Sequence, residues 1–379
     1  MTNNSPPRAA SRRLATAAVL SSTVVTVLAL VVLAVPALNP FAVPAGTGLL
    51  AAAVGPTAMA VGTAVLGLVS LIIAGTARLT AHPSRRAITV TGVAVTVGLG
   101  VLAQGNGALA LAGYLVALAM PVAYVVVSVI ALRARHWIRI PLIAGAAVGV
   151  VALVLLREAY VGVLAHVVVA FSHEGISTAF TVISFGTALI WGALAVRTAA
   201  DLGVVRRLTG WATRHRVPLT LLAAAGAAPY PLVRLTWLTP WPLLAPDDLD
   251  LGTRIWGVLL STGAWLGIVL TIGLIRPWGE RLPHWFPIGA DRPVHPYAAI
   301  IPGTTVSLLI TAAAAPMLAA GFANGEPLLG LGFLPLWFWG PMLGLAVLGY
   351  AGHRSRPVET SRTHRDASTP APRPSTMVA

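Results

Sequence analysis

The chain has 379 residues, 57% of them hydrophobic and 9% charged, with a formal net charge of +14 and no cysteine. A soluble domain carries about 25% charged residues, so too few polar side chains are present to clothe a water-facing surface, and a bilayer must be the solvent for most of the chain. The cysteine count excludes disulfides, thiolate metal sites and cysteine nucleophiles; the basic charge lies in short loops, with no basic face of interleaved aromatics, which argues against nucleic acid as a partner.

Ten apolar runs follow in chain order, near 14–35, 48–77, 87–103, 108–132, 138–156, 178–198, 217–234, 253–275, 297–320 and 328–351. Each is long enough to cross about 30 Å of hydrocarbon as a helix. The runs are too long and too continuously apolar for barrel strands, and lipid leaves no backbone group unpaired. The first run has about 22 residues, whereas the apolar core of a signal peptide has about 7–15, so it reads as a retained span. The stretch from Pro141 to Phe171 exceeds the hydrocarbon thickness. It reads either as one tilted helix that emerges from the membrane or as a helix broken near Arg157–Glu158, with the rest along the outer interface.

Arginine placement sets the orientation. All 25 basic residues are arginines. With the ten runs as spans, about 22 fall on one side, and only Arg157, Arg234 and Arg254 fall on the other or at its interface. By the positive-inside rule the arginine side is cytoplasmic. The expected fold is therefore an all-α membrane protein, a polytopic bundle of about ten transmembrane helices with both termini inside. Residues 1–13 read as a disordered basic head, 14–351 as one transmembrane domain, and 352–379 as a disordered tail rich in Ser, Thr, Pro and Arg. Ten spans divide into five and five, which would make the halves inverted repeats. Gly55-Pro56 would then match Pro229 and Pro231, and Pro121 would match Pro316, as paired helix breaks.

Ionisable residues in or near the apolar zone are the first candidates for a site, because placing charge in lipid is costly. Arg157, Glu158, Tyr160, His166, His173 and Glu174 form the richest cluster. On a continuous helix His166 and His173 fall within about 20° of one another, Glu158 about 80° away and Arg157 opposite, so one face cannot hold them all. Glu158 and His166 remain candidates for a proton or ion site, and the alternative is a headgroup-level segment. Arg234, after Ala228-Pro229-Tyr230-Pro231, is either an anion-binding group at a broken helix or a snorkelling side chain.

Asp247-Asp248-Leu249-Asp250 resembles a divalent-metal cluster but has no facing acidic partner, so it reads as a solvated turn. His173-Glu174 lacks the second histidine of a zinc-protease helix. Phosphate loops, nucleophile elbows and dinucleotide fingerprints are missing too. No catalytic residue, metal or cofactor is expected.

The most distinctive polar text is Arg276-Pro277-Trp278-Gly279-Glu280-Arg281-Leu282-Pro283-His284-Trp285-Phe286-Pro287. Trp278, Glu280 and Trp285 mark it as either a headgroup-level aromatic belt or a docking loop for a protein partner across 276–292, with Glu280 within reach of Arg276 or Arg281. This loop, with Arg254-Ile255-Trp256-Gly257, Pro229-Tyr230, Arg234-Leu235-Thr236-Trp237 and the run Pro293 to Pro302, resembles a set of uncharacterised multi-pass membrane proteins of high-GC actinobacteria. The resemblance covers roughly residues 228–303. It implies a bacterial plasma membrane and carries no activity to transfer. The functional expectation is a transporter-like protein for a small solute, ion or lipid. The alternatives are a non-catalytic scaffold or accessory subunit and, third, an outer-face lipid-processing enzyme. Membrane lipids are the partners that the composition itself implies.

Overall fold

The computed structural model describes residues 8–42, 49–80, 83–105, 157–199, 203–246, 249–283, 291–323, 325 and 329–355, with isolated positions between 140 and 154. The described residues are helical, with no strand beyond one isolated bridge, as a chain dissolved in lipid requires. Among the described residues six helices are long and apolar enough to cross a membrane: Arg12–Ala34, Pro56–Leu79, Arg85–Leu102, Gly175–Ala199, Tyr297–Leu318 and Leu331–Arg354. The expected fourth span lies outside the described residues, and the fifth is described only at scattered helical positions.

Four helices form the N-terminal group: α1 (Arg8–Ala34), α3 (Pro56–Leu79), α4 (Arg85–Val97, prolonged by a π turn over Gly98–Leu102) and α5 (Arg157–Ala199). A short α2 (Leu49–Val54) precedes α3, and the chain turns between them at Gly55, with φ +89°, followed by Pro56 at the first helical position. Ser84 caps α4 by accepting from the Ala87 amide at 3.3 Å.

Small residues let these helices approach. A side chain on Gly92 would stand 2.6 Å from Ala195 Cβ and 2.9 Å from the Trp191 carbonyl, so α4 and α5 touch nearly backbone to backbone there. The fully buried Trp191 donates its Nε1 proton to Ser22 Oγ on α1 at 2.9 Å, and Ser70 Oγ of α3 lies 2.9 Å from the same oxygen. One hydroxyl thus ties three helices together where lipid offers no competing partner.

The C-terminal group holds α6 (Val204–Arg214), α7 (Arg216–Ala227), α8 (Pro229–Thr236), α9 (Leu251–Gly273), α10 (Tyr297–Ala323) and α11 (Leu336–Arg354). Helices α10 and α11 pair antiparallel, with Ser307 Oγ donating to the Gly340 carbonyl at 2.8 Å. Helix α7 lies along α11 with Gly226 against Trp339 at one end and Arg216 against Gly349 at the other, where Ala212 of α6 also meets Gly349. The two groups meet where Gly100 packs beside Leu308.

Two sequence expectations change. The sixth span is part of a longer helix: residues 157–199 are one helix of 43 residues, about 64 Å long, roughly twice the hydrocarbon thickness. The helix break expected at Pro229 is present: the seventh span is interrupted at Ala228, because Pro229 has no amide to continue α7 and instead starts α8. Pro316 does not break its helix. α10 runs through both Pro302 and Pro316, and Pro316 is buried where neighbouring helices enclose it.

The register of the pairs brings the arginines together. Ser22 against Ser70, Gly92 against Ala195, Gly349 against Ala212 and Gly303 against Val347 all require antiparallel neighbours. Arg12, Arg78, Arg85 and Arg197 therefore share one end of their group, as do Arg216, Arg276, Arg292 and Arg354 in the other. Helix α1 begins at Arg8 and α11 continues to Arg354, a turn or so into the segments read as head and tail.

Candidate functional site

A cleft of about 710 Å³ lies between α9, α10, α11 and the loop after α9, within the usual range of about 300–1,000 Å³ for a small-molecule site. Its walls are Val269 and Leu270 of α9, Ala298, Pro302 and Val306 of α10, and Trp339, Leu343 and Val347 of α11. Trp278, Leu282 and Pro283 close one end. Among the described residues that line it, Thr271 brings the one hydroxyl, and no side chain is charged. Val269, Leu270 and Val306 are 52%, 57% and 41% exposed, so the cleft opens sideways, on the apolar flank of the helices.

The closing loop is built from α9 outward. Gly273 ends α9 without a side chain, and the Trp278 indole lies where one would project. A side chain on Gly279 would collide with the Gly273 carbonyl, so the turn Pro277–Gly279 folds back tightly on the helix end. The chain then pairs with the segment before α10: the Leu282 amide donates to the Arg292 carbonyl at 2.9 Å and Val294 to Glu280 at 2.9 Å. This ribbon aims Glu280 and Leu282 to one side and Arg281 to the other.

Glu280 holds the ribbon to the bundle. Its Oε1 accepts from His353 Nε2 at 3.0 Å and lies 3.7 Å from Arg216 Nη1, and its Oε2 lies 3.8 Å from Arg354 Nη1. A carboxylate only accepts, so the imidazole carries its proton on Nε2. The cations come from the start of α7 and the end of α11, not from the neighbours Arg276 and Arg281 that the sequence made available. Two further bonds fasten the loop: the fully buried Tyr350 donates to the Gly279 carbonyl at 2.9 Å, and Arg354 Nη2 donates to the Val294 carbonyl at 2.7 Å.

The sequence candidates do not converge on this cleft as a group. Trp278 lines it, and Glu280 sits directly behind its lining. Trp285 lies outside the described residues. Glu158 stands at the start of α5 with its side chain 90% exposed, its ion-pair partner among the described residues being Arg157 at 3.9 Å. His166 is two turns further along the same helix, and its side chain lies outside the described residues.

Arg234 is held in a ring of aromatics, its guanidinium carbon 3.8 Å from the Trp237 centroid, 5.3 Å from Tyr230 and 5.9 Å from Phe333. Cation–π attraction of about 0.5–2 kcal/mol per favourable ring compensates a cation that has no carboxylate partner among the described residues. Its Nε is buried without an acceptor. Asp250 caps α9, accepting from the Thr253 amide at 2.8 Å, while Asp247 and Asp248 lie outside the described residues. Among the described residues no group of three His, Asp or Glu gathers as a metal site.

Sequence reasoning missed Arg216, Tyr350, His353 and Arg354. Each looks like an ordinary helix-end residue, and only their convergence on one carboxylate sets them apart. It also passed over Gln104, buried beyond the π turn, whose Nε2 donates to the Leu99 carbonyl at 2.6 Å while Oε1 has no partner. Comparison of the chain with protein-family models, curated proteins and solved structures finds no match. What is established is that the described residues are all-helical and include six helices fit to cross a membrane, compatible with an integral membrane protein.

Proposed function

We propose that this chain is a plasma-membrane protein of about ten spans, both ends cytoplasmic, that takes a lipid or similarly apolar molecule into the cleft between α9, α10 and α11. In this reading it is transporter-like and not an enzyme, and it groups with the actinobacterial multi-pass proteins that its 228–303 segment resembles. The observation that carries it is the cleft itself: about 710 Å³, apolar-walled and open sideways. A polar solute would need convergent polar groups, and the exposed Glu158 does not reach toward Arg234 in its aromatic ring. The gathering of arginines at one end of each helix group supports the cytoplasmic placement of that end.

Filling the cleft tests the reading. Val306→Trp adds bulk on a half-exposed wall where the fold tolerates it. Binding of a fluorescent fatty-acyl probe to the purified protein is expected to fall at least fivefold, with an unchanged melting profile. Equal probe binding by the variant and the parent would remove the cleft as the site.

A second reading, a non-catalytic scaffold or accessory subunit docking through loop 276–292, is favoured by the way Glu280, Tyr350 and Arg354 hold the described part of that loop in place. Replacing the loop by a Gly/Ser linker would then lose a partner from affinity purification, and an unchanged partner set would end this reading.

A further inference from the structure

We infer that the cleft selects an anionic phospholipid, with an acyl chain between α9 and α10 and the phosphate on the arginines of the ribbon. The inference rests on the lipid reading above and adds the headgroup class. Three observations lead to it.

The cleft has a direction. On α10 its wall runs from Ala298 to Val306 and on α11 from Val347 to Trp339, in each case about 12 Å along the helix axis. One end lies under Leu282, Pro283 and Val294, at the end of the bundle where α9 stops and α10 starts. The other end lies two turns further into the apolar zone. An occupant with one polar end and one apolar tail matches that layout, and the sideways opening lets it enter from the bilayer.

The polar end of the cleft is positively charged. Arg276, Arg281 and Arg292 flank the residues that close it, and all three are exposed. None has a carboxylate partner among the described residues. Glu280 faces inward and is shared by Arg216, His353 and Arg354. Asp291, exposed at the ribbon's turn, is the other carboxylate there, so three guanidinium groups outnumber it.

Guanidinium groups meet phosphate through paired, charge-assisted hydrogen bonds. A zwitterionic headgroup brings an ammonium to the same arginines, whereas an anionic one does not. Each arginine near an anionic lipid surface contributes modestly, and three together, after screening, correspond to about a tenfold preference.

The test is native mass spectrometry of the full-length protein released from detergent and titrated with phosphatidylglycerol or phosphatidylcholine bearing the same acyl chains. The parent is expected to retain phosphatidylglycerol at about tenfold lower concentration, with the preference fading as ammonium acetate is raised. The triple variant Arg276→Gln/Arg281→Gln/Arg292→Gln, altered only on exposed side chains, is expected to lose the preference and keep phosphatidylcholine retention unchanged. Val306→Trp is expected to lose both lipids.

Equal retention of the two lipids by the parent, or a preference that survives the triple variant, would overturn the headgroup assignment and leave the cleft as a lipid site. Retention of both lipids by Val306→Trp at the parent's level would overturn the lipid reading itself. Competition by inorganic phosphate at the lipid's own concentration would mark a soluble-anion site and overturn the assignment as well.

Discussion

Leucine at position 92 will keep α4 from seating against α5, and the variant will fail to accumulate as a folded protein. A Cβ there already stands 2.6 Å from Ala195 Cβ and 2.9 Å from the Trp191 carbonyl, so the added atoms meet main chain that cannot rotate away. Separating the helices would also pull Trp191 from Ser22, opening the cluster of Ala18, Val25, Val95, Leu99 and Leu194 around it. Overpacking costs about 1–3 kcal/mol where side chains can move and more where only backbone can. In a bilayer, close packing is the main force joining helices, so the loss is not offset elsewhere. The control is Gly62→Leu on the outer face of α3, where a side chain meets nothing within 4 Å. That variant is expected to match the parent in yield and melting. Equal behaviour of the two leucine variants in detergent size-exclusion and thermal unfolding would refute the close approach of α4 and α5.

Reversing the charge at 280 is the second large effect. Glu280→Lys places a third guaranteed cation beside Arg216 and Arg354 and leaves His353 without its acceptor, with Arg216 Nη1 already buried without a hydrogen-bond acceptor. Breaking a buried ion pair costs about 3–5 kcal/mol, and the partial exposure of this network puts the expected loss near the lower figure. The loop between α9 and α10 is held by this carboxylate from one side and by Tyr350 and Arg354 from the other, so its release should precede global unfolding. Limited proteolysis is expected to cut within 276–296 at least tenfold faster than in the parent. Glu280→Gln, which can still accept from His353 but carries no charge, should show a smaller change of about 1 kcal/mol. Parent-like proteolysis of the lysine variant would show that the network does not hold the loop.

Helix content was legible in the sequence because lipid imposes a simple rule: continuous apolar runs must be helices. Gly55-Pro56 and Pro229 were readable as interruptions for the same local reason, since proline supplies no amide. Pro316 was misread because a local rule cannot see the neighbouring helices that enclose it. The 43-residue α5 was not legible, since polar residues such as His173 and Glu174 look like a loop when helix continuity is judged by apolarity alone.

Helix α6 was missed for a related reason. Arg206, Arg207 and Arg214 read as loop charge, yet Thr209, Ala212 and Thr213 pack on Gly349 and Gly352 of α11 while Leu208 and Trp211 stay exposed. That is the pattern of a helix lying along a membrane surface. Of the candidate site, Trp278 and Glu280 stood out in the sequence because a tight Pro-Trp-Gly turn is distinctive. The cleft behind them was not legible. It is made of Val, Leu, Ala and Gly from three helices distant in the chain, and nothing in those residues separates them from ordinary lipid-facing or core positions.

Photolabelling in the bilayer tests the central claim most directly. The protein is reconstituted in vesicles containing an anionic phospholipid with a diazirine near the headgroup end of one acyl chain, irradiated, digested, and mapped by mass spectrometry. Adducts are expected to concentrate on Val269, Leu270 and Val306, well above Val65 and Leu68, which are similarly exposed on the outer face of α3. Labelling that follows surface exposure alone, with the cleft no richer than α3, would contradict the account.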